Sequence, residues 1–81
     1  MVTVRLWGTL RHLTGGHAEV EVEAGTFKEV LDRLAETYPG LAPQFQRGVS
    51  MALNGVIYRE AWFQKIDPGA EVVLMPYMQG G

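Results

Sequence analysis

The stretch Ala18-Glu-Val-Glu-Val-Glu-Ala24 runs directly into Gly25-Thr-Phe-Lys-Glu-Val-Leu-Asp-Arg-Leu-Ala-Glu-Thr-Tyr-Pro-Gly40, and its period changes at the glycine. In the first part Ala18, Val20, Val22 and Ala24 alternate with Glu19, Glu21 and Glu23, the two-residue repeat of a strand with one dry and one wet face. In the second part Phe27, Val30, Leu31, Leu34, Ala35 and Tyr38 recur at helical spacing and form one apolar stripe. Thr26 with Glu29 supplies a capping box at the start, and Pro39-Gly40 stops the helix. A helix with one apolar stripe needs a surface to lie on. The rest of the chain has to supply a sheet.

Working outward, Val2, Val4 and Leu6 alternate with Thr3, Arg5 and Trp7 and predict a first strand. If it pairs with 18–24, Arg5 falls on the face of the glutamates, and cross-strand ion pairing accounts for that acidic row. The connection from Gly8 to Gly16 carries a hint of a helical turn in Leu6, Leu10 and Leu13. Beyond the helix, residues 41–48 contain Pro43 and Gly48 and read as an irregular crossover with at most one helical turn near Gln44–Gln46. Val49, Met51 and Leu53 then alternate with Ser50 and Ala52. Asn54-Gly55 follows, the pair that a type I′ hairpin favours because both central residues need positive φ. Val56-Ile57-Tyr58 is the return strand, and Asp67-Pro68-Gly69 marks another turn. The last strand runs from Glu71 to about Pro76, where a residue with no N–H ends sheet pairing. Trp62-Phe63 is expected to close one end of the core.

Eighty-one residues allow one domain. A net charge of −2 argues against a general nucleic-acid binder, which needs a basic surface. The absence of cysteine excludes disulfides, zinc–thiolate sites and thiol nucleophiles together. No segment approaches the roughly 20 apolar residues needed to span a bilayer, and Met1 leads straight into a strand, so the expectation is a cytoplasmic protein with no membrane partner. His12 and His17 have no ligand partners in a metal-binding pattern and are expected to be solvated. Ser50 lacks the surroundings of a nucleophile, and Gly15-Gly16 is not followed by the Lys-Ser/Thr of a phosphate loop. No catalytic constellation, cofactor site or metal site is expected within the chain.

The end of the chain is distinctive. Gly80-Gly81 places a carboxylate on a slim tether with no side chains to obstruct entry into a partner's channel. From Tyr77 to Gly81 the extended chain reaches roughly 17 Å, at about 3.3–3.6 Å per residue. The alternative is a plain frayed terminus. The expected division is a folded domain over 1–77 and a flexible tail over 78–81. Trp7, Val73, Met75 and Tyr77 share the strand parity of Arg5 and Glu71, which makes an apolar row on the outer sheet face and a candidate partner patch.

The order strand, strand, helix, strand, short strand, strand resembles the α+β arrangement of the β-grasp, or ubiquitin-like, fold. The sequences Ala52-Leu-Asn-Gly-Val-Ile57, Asp67-Pro-Gly-Ala-Glu-Val-Val-Leu-Met-Pro76 and Gly80-Gly81 resemble the sulfur-carrier family that includes ThiS and the small subunit of molybdopterin synthase (MoaD). The likeness covers essentially the whole chain, and its length and the Tyr38–Pro43 segment are closer to MoaD. Tyr77 stands where the MoaD pattern usually has a second proline, and Met78-Gln79 replaces a small apolar pair.

This resemblance implies that an adenylating enzyme related to ubiquitin-activating enzymes uses ATP to activate the Gly81 carboxylate. Sulfur then converts it to a thiocarboxylate, which a sulfur-accepting enzyme such as the molybdopterin synthase large subunit consumes. Gly80 would give clearance, and Pro76, Tyr77, Met78 and Gln79 would guide the tail. The chain would be the sulfur-donating small subunit of a two-component sulfurtransferase, not a catalyst alone. Related carriers serve thiamine, tRNA thiolation or cysteine synthesis, or become protein modifiers. A non-covalent interaction module is the alternative from a different class.

Overall fold

The structure is a computed structural model, and it describes residues 1–59 and 61–76. Five strands form one sheet: β1 (Val2–Leu6), β2 (Glu19–Val22), β3 (Val49–Leu53), β4 (Val56–Arg59) and β5 (Glu71–Pro76). Three helices accompany them, α1 (Thr9–His12), α2 (Phe27–Thr37) and α3 (Leu41–Arg47). The sheet order is β2-β1-β5-β3-β4. The first and last strands lie side by side and parallel, with Leu6 opposite Leu74, and the other three pairings are antiparallel. This is the β-grasp arrangement.

The alternation read from the sequence sets which face is dry. Val2, Val4, Leu6, Val49, Met51, Val72 and Leu74 are buried beneath α2, which contributes Phe27, Val30, Leu31 and Leu34. Capping of α2 follows the expected chemistry with one shift. The Thr26 hydroxyl accepts from the Glu29 N–H at 3.2 Å, while the Glu29 carboxylate accepts from the N–H of Gly25, one residue before the cap, at 2.9 Å. The hairpin is of the primed kind: Asn54 and Gly55 have φ of 52° and 81°. Ahead of β5, the Ala70 N–H donates to the Asp67 carbonyl at 3.1 Å and closes the turn at Pro68.

Three expectations are corrected. The crossover 41–48 is not irregular: α3 occupies seven residues of it and buries Leu41. Pro43 falls in the first turn of that helix, where an N–H would have no intrahelical partner, so the proline costs no hydrogen bond. The strand expected over 18–24 narrows to Glu19–Val22. Of the aromatic pair, Trp62 does pack on the core, its ring 5.4 Å from that of Phe27, but Phe63 is 83% exposed. Ile66, which is buried, takes the closing role instead. Among the described residues no helix is long and apolar enough to cross a membrane.

Candidate functional site

The central feature is β5, which lies between β1 and β3 and delivers the chain to Pro76. A strand hydrogen-bonded on both sides is held along its length, so its end is a fixed point on the molecule. Pro76 sits opposite Val49 on one side. On the other, the chain turns at Gly8, where a Cβ would stand 3.5 Å from the Pro76 Cγ. The Trp7 N–H donates to the Leu74 carbonyl at 3.1 Å and continues the β1–β5 ladder one step past the Leu6–Leu74 pair. Tyr77, Met78, Gln79, Gly80 and Gly81, together with the 77/78 boundary of the expected tail, lie outside the described residues.

The face of the sheet turned away from α2 carries the predicted patch. Trp7 is 56% exposed, and Val73 and Met75 are half-buried. Register extends this face further than strand parity alone could. Val73 is opposite Ala52, and Ala52 is opposite Ile57, which is 61% exposed. An apolar row therefore crosses β5, β3 and β4, with Trp7 beside it near the end of β5. Ala52 and Ile57 were missed because alternation within a strand does not say which strand lies next to it.

The same face holds the ion pair expected between Arg5 and the glutamate row, made through Glu19, and a second pair with Glu71 that the sequence reading did not include. Arg5 Nε lies 3.6 Å from the Glu19 carboxylate on β2 and 3.3 Å from that of Glu71 on β5. One guanidinium thus ties three strands together at the edge of the apolar row. All three side chains are about half exposed, so solvent screening keeps the contribution of the pairs small. Ser50 is buried on this face between Met75 and Arg59 in register.

His12 is exposed at the end of α1, and His17 stands near Tyr38 with ring centres 6.3 Å apart. Among the described residues no group of His, Cys, Asp or Glu could hold a metal ion. Gly15 and Gly16 both have positive φ, and a Cβ on either would meet nothing within 4 Å. The geometry contains an apolar face and a rigid rail that ends beside it. Chemically, this arrangement can bind another protein and present to it whatever follows Pro76.

Comparison with known proteins agrees with that geometry. The model of the ThiS family matches residues 4–81. A search of curated protein sequences returns no match. Among solved structures, a chain of the Amycolatopsis orientalis BexX/CysO complex is similar, with a TM-score of 0.79, 22% identity and full coverage of both chains. The small archaeal modifier protein SAMP1 of Methanosarcina acetivorans has a TM-score of 0.76 at 20% identity, covering 99% of this chain and 95% of its own. A putative molybdopterin converting factor subunit 1 of Pyrococcus furiosus has a TM-score of 0.72 at 19% identity, covering 95% and 97%. At these identities the structures establish the fold. The family match spans nearly the whole sequence and reaches its final glycine: the chain belongs to the ThiS family of ubiquitin-like sulfur carriers.

Proposed function

We propose that this protein carries sulfur in the cytoplasm on the carboxyl group of Gly81. The Gly81 carboxylate attacks the α-phosphorus of ATP bound to an activating enzyme, releasing pyrophosphate and leaving an acyl-adenylate. Hydrosulfide, or its equivalent from a sulfur donor, then attacks the acyl carbon. AMP departs, one proton is released, and a thiocarboxylate remains. Glycine suits this step because its acyl carbon is unhindered, and Gly80 leaves the approach clear. The observation that supports the reading most directly is the family match, which extends through the terminal glycines.

The outer face supports it as well. Trp7, Val73, Met75 and Ile57 flank the rail that leads to the tail, so a partner seated on them would hold Pro76 and direct Tyr77, Met78 and Gln79 into its own active site. The leading assignment of acceptor is the large subunit of a molybdopterin synthase, with this chain as the small subunit. Chain length and the Tyr38–Pro43 segment favour it. Carriers for thiamine, tRNA thiolation or cysteine synthesis, and a protein modifier, share the chemistry up to the adenylate. A purely non-covalent module would use the same apolar face and leave the tail idle.

Removing Gly81 separates these readings. The truncated protein is expected to fold normally, because the core is complete by Pro76, and to lose all ATP-dependent activation. Full biological activity without Gly81 would overturn the carrier reading in favour of the non-covalent one.

A further inference from the structure

The charges of this protein are sorted along β5. At the start of the strand the carboxylates gather: Glu71 opens it, Asp67 precedes it, and Thr3 is flanked in register by Glu71 on one side and Glu21 on the other. At its finish the cations gather. Arg47 ends α3, one glycine before Val49, which is the partner of Pro76. Arg11 lies on α1, which packs against β5, and lines the cleft that contains Trp7 and the Pro76-contacting Gly8. Arg59 is opposite Ser50, itself opposite Met75. His12 follows Arg11.

Arg11 and Arg47 are exposed and, like Lys65 opposite Thr26, make no ion pair with any described residue, whereas Arg5, Lys28 and Arg33 are each taken by a neighbouring carboxylate. Glu19, which lines the same cleft as Arg11, lies within ion-pair range of Arg5. Fold stability does not account for two guanidiniums toward one end of β5 that have no ion-pair partner among the described residues, on a protein of net charge −2.

We propose that Arg11 and Arg47, with Arg59 and His12 beside them, form a basic collar that receives a carboxylate-rich protein surface surrounding the channel into which the tail is inserted. This rests on the carrier reading, since it is the tail that gives the collar its position. The acidic far end makes the molecule a dipole that approaches such a partner tail first. Charge arranged in this way acts mainly on the rate of encounter. A nucleic acid is a poorer occupant, because a long polyanion would also meet the acidic row along the rest of the strand.

The test uses the full chain, labelled for NMR, titrated with an oligoglutamate peptide at low ionic strength. Amide shifts are expected around residues 8–12, 47–50 and 58–59, and they should disappear in Arg11→Glu/Arg47→Glu. In parallel, association with the host's adenylating enzyme should slow by roughly tenfold or more in that variant and lose most of its salt dependence. Lys28→Glu/Lys65→Glu, which changes net charge equally, should leave the rate near wild type. Shifts that centre on Lys28 and Lys65, no shifts at all, or tighter binding of a single-stranded oligonucleotide would overturn the collar. The two readings fail separately. Unslowed adenylation of Arg11→Glu/Arg47→Glu removes the collar and keeps the carrier. Collar shifts in a chain that is never adenylated remove the carrier and keep an acid-binding surface.

Discussion

Replacing Gly8 with alanine should destabilise the protein while leaving its surface almost untouched. Gly8 has φ 63° and ψ −136°, a combination that a residue with a Cβ adopts only under strain. Steric contact is not the reason. The added Cβ would meet the Pro76 ring at 3.5 and 3.7 Å, ordinary van der Waals distances. The penalty is torsional, about 1–3 kcal/mol for a residue held in such a region. Against it stands the reduced freedom of the unfolded chain, about 0.4–1 kcal/mol in favour of alanine. The net loss is therefore about 1–2 kcal/mol. With a urea m-value of about 1 kcal/mol/M for a domain of this size, the unfolding midpoint should fall by roughly 1–2 M with m unchanged. Gly25→Ala is the control. Its backbone lies outside the left-handed region, and its Cβ would meet only the terminal oxygen of the flexible Glu29 side chain at 3.3 Å, so its unfolding free energy should stay within about 0.5 kcal/mol of wild type. If Gly8→Ala unfolds at the wild-type midpoint, the turn that sets β1 against Pro76 is not held as described.

Further outcomes follow from the same structure. Thr26→Ala removes the hydroxyl that caps α2 and should cost about 1 kcal/mol in urea unfolding. Phe27→Ala empties the largest wholly buried side chain among the described residues and should cost about 3–5 kcal/mol, a large part of the stability of so small a domain, so the thermal unfolding temperature should drop sharply or the cooperative transition vanish. Trp7→Ala/Ile57→Ala should leave stability within about 0.5 kcal/mol of wild type. It should weaken calorimetric binding to the activating enzyme by about 2 kcal/mol or more if these side chains anchor the interface.

The elements with strong periods were the ones legible in the sequence. The stripe of α2, the alternation of β1, β2, β3 and β5 and the Asn54-Gly55 turn each follow from local spacing, and together they force a helix onto a sheet. α3 was obscured because Pro43 and Gly48 read as breakers. One sits harmlessly in the first turn, and the other serves as the C-cap. Phe63 was misplaced because adjacent aromatics carry no period to say which one faces inward. The outer face was half legible. Trp7, Val73 and Met75 share a parity that strands β1 and β5 reveal, but Ile57 joins them only through the pairing of β4 with β3 and of β3 with β5. The basic collar was invisible for the same reason. Arg11, Arg47 and Arg59 belong to three different elements, and only the sheet order brings them to one end.

The most direct test of the central claim is the intact mass of the full chain after incubation with ATP and a sulfur source in active extract of its host. A gain equal to the replacement of one oxygen by sulfur is expected, absent without ATP and absent from the protein lacking Gly81. An unchanged mass in an extract shown to thiolate another carrier would contradict that claim.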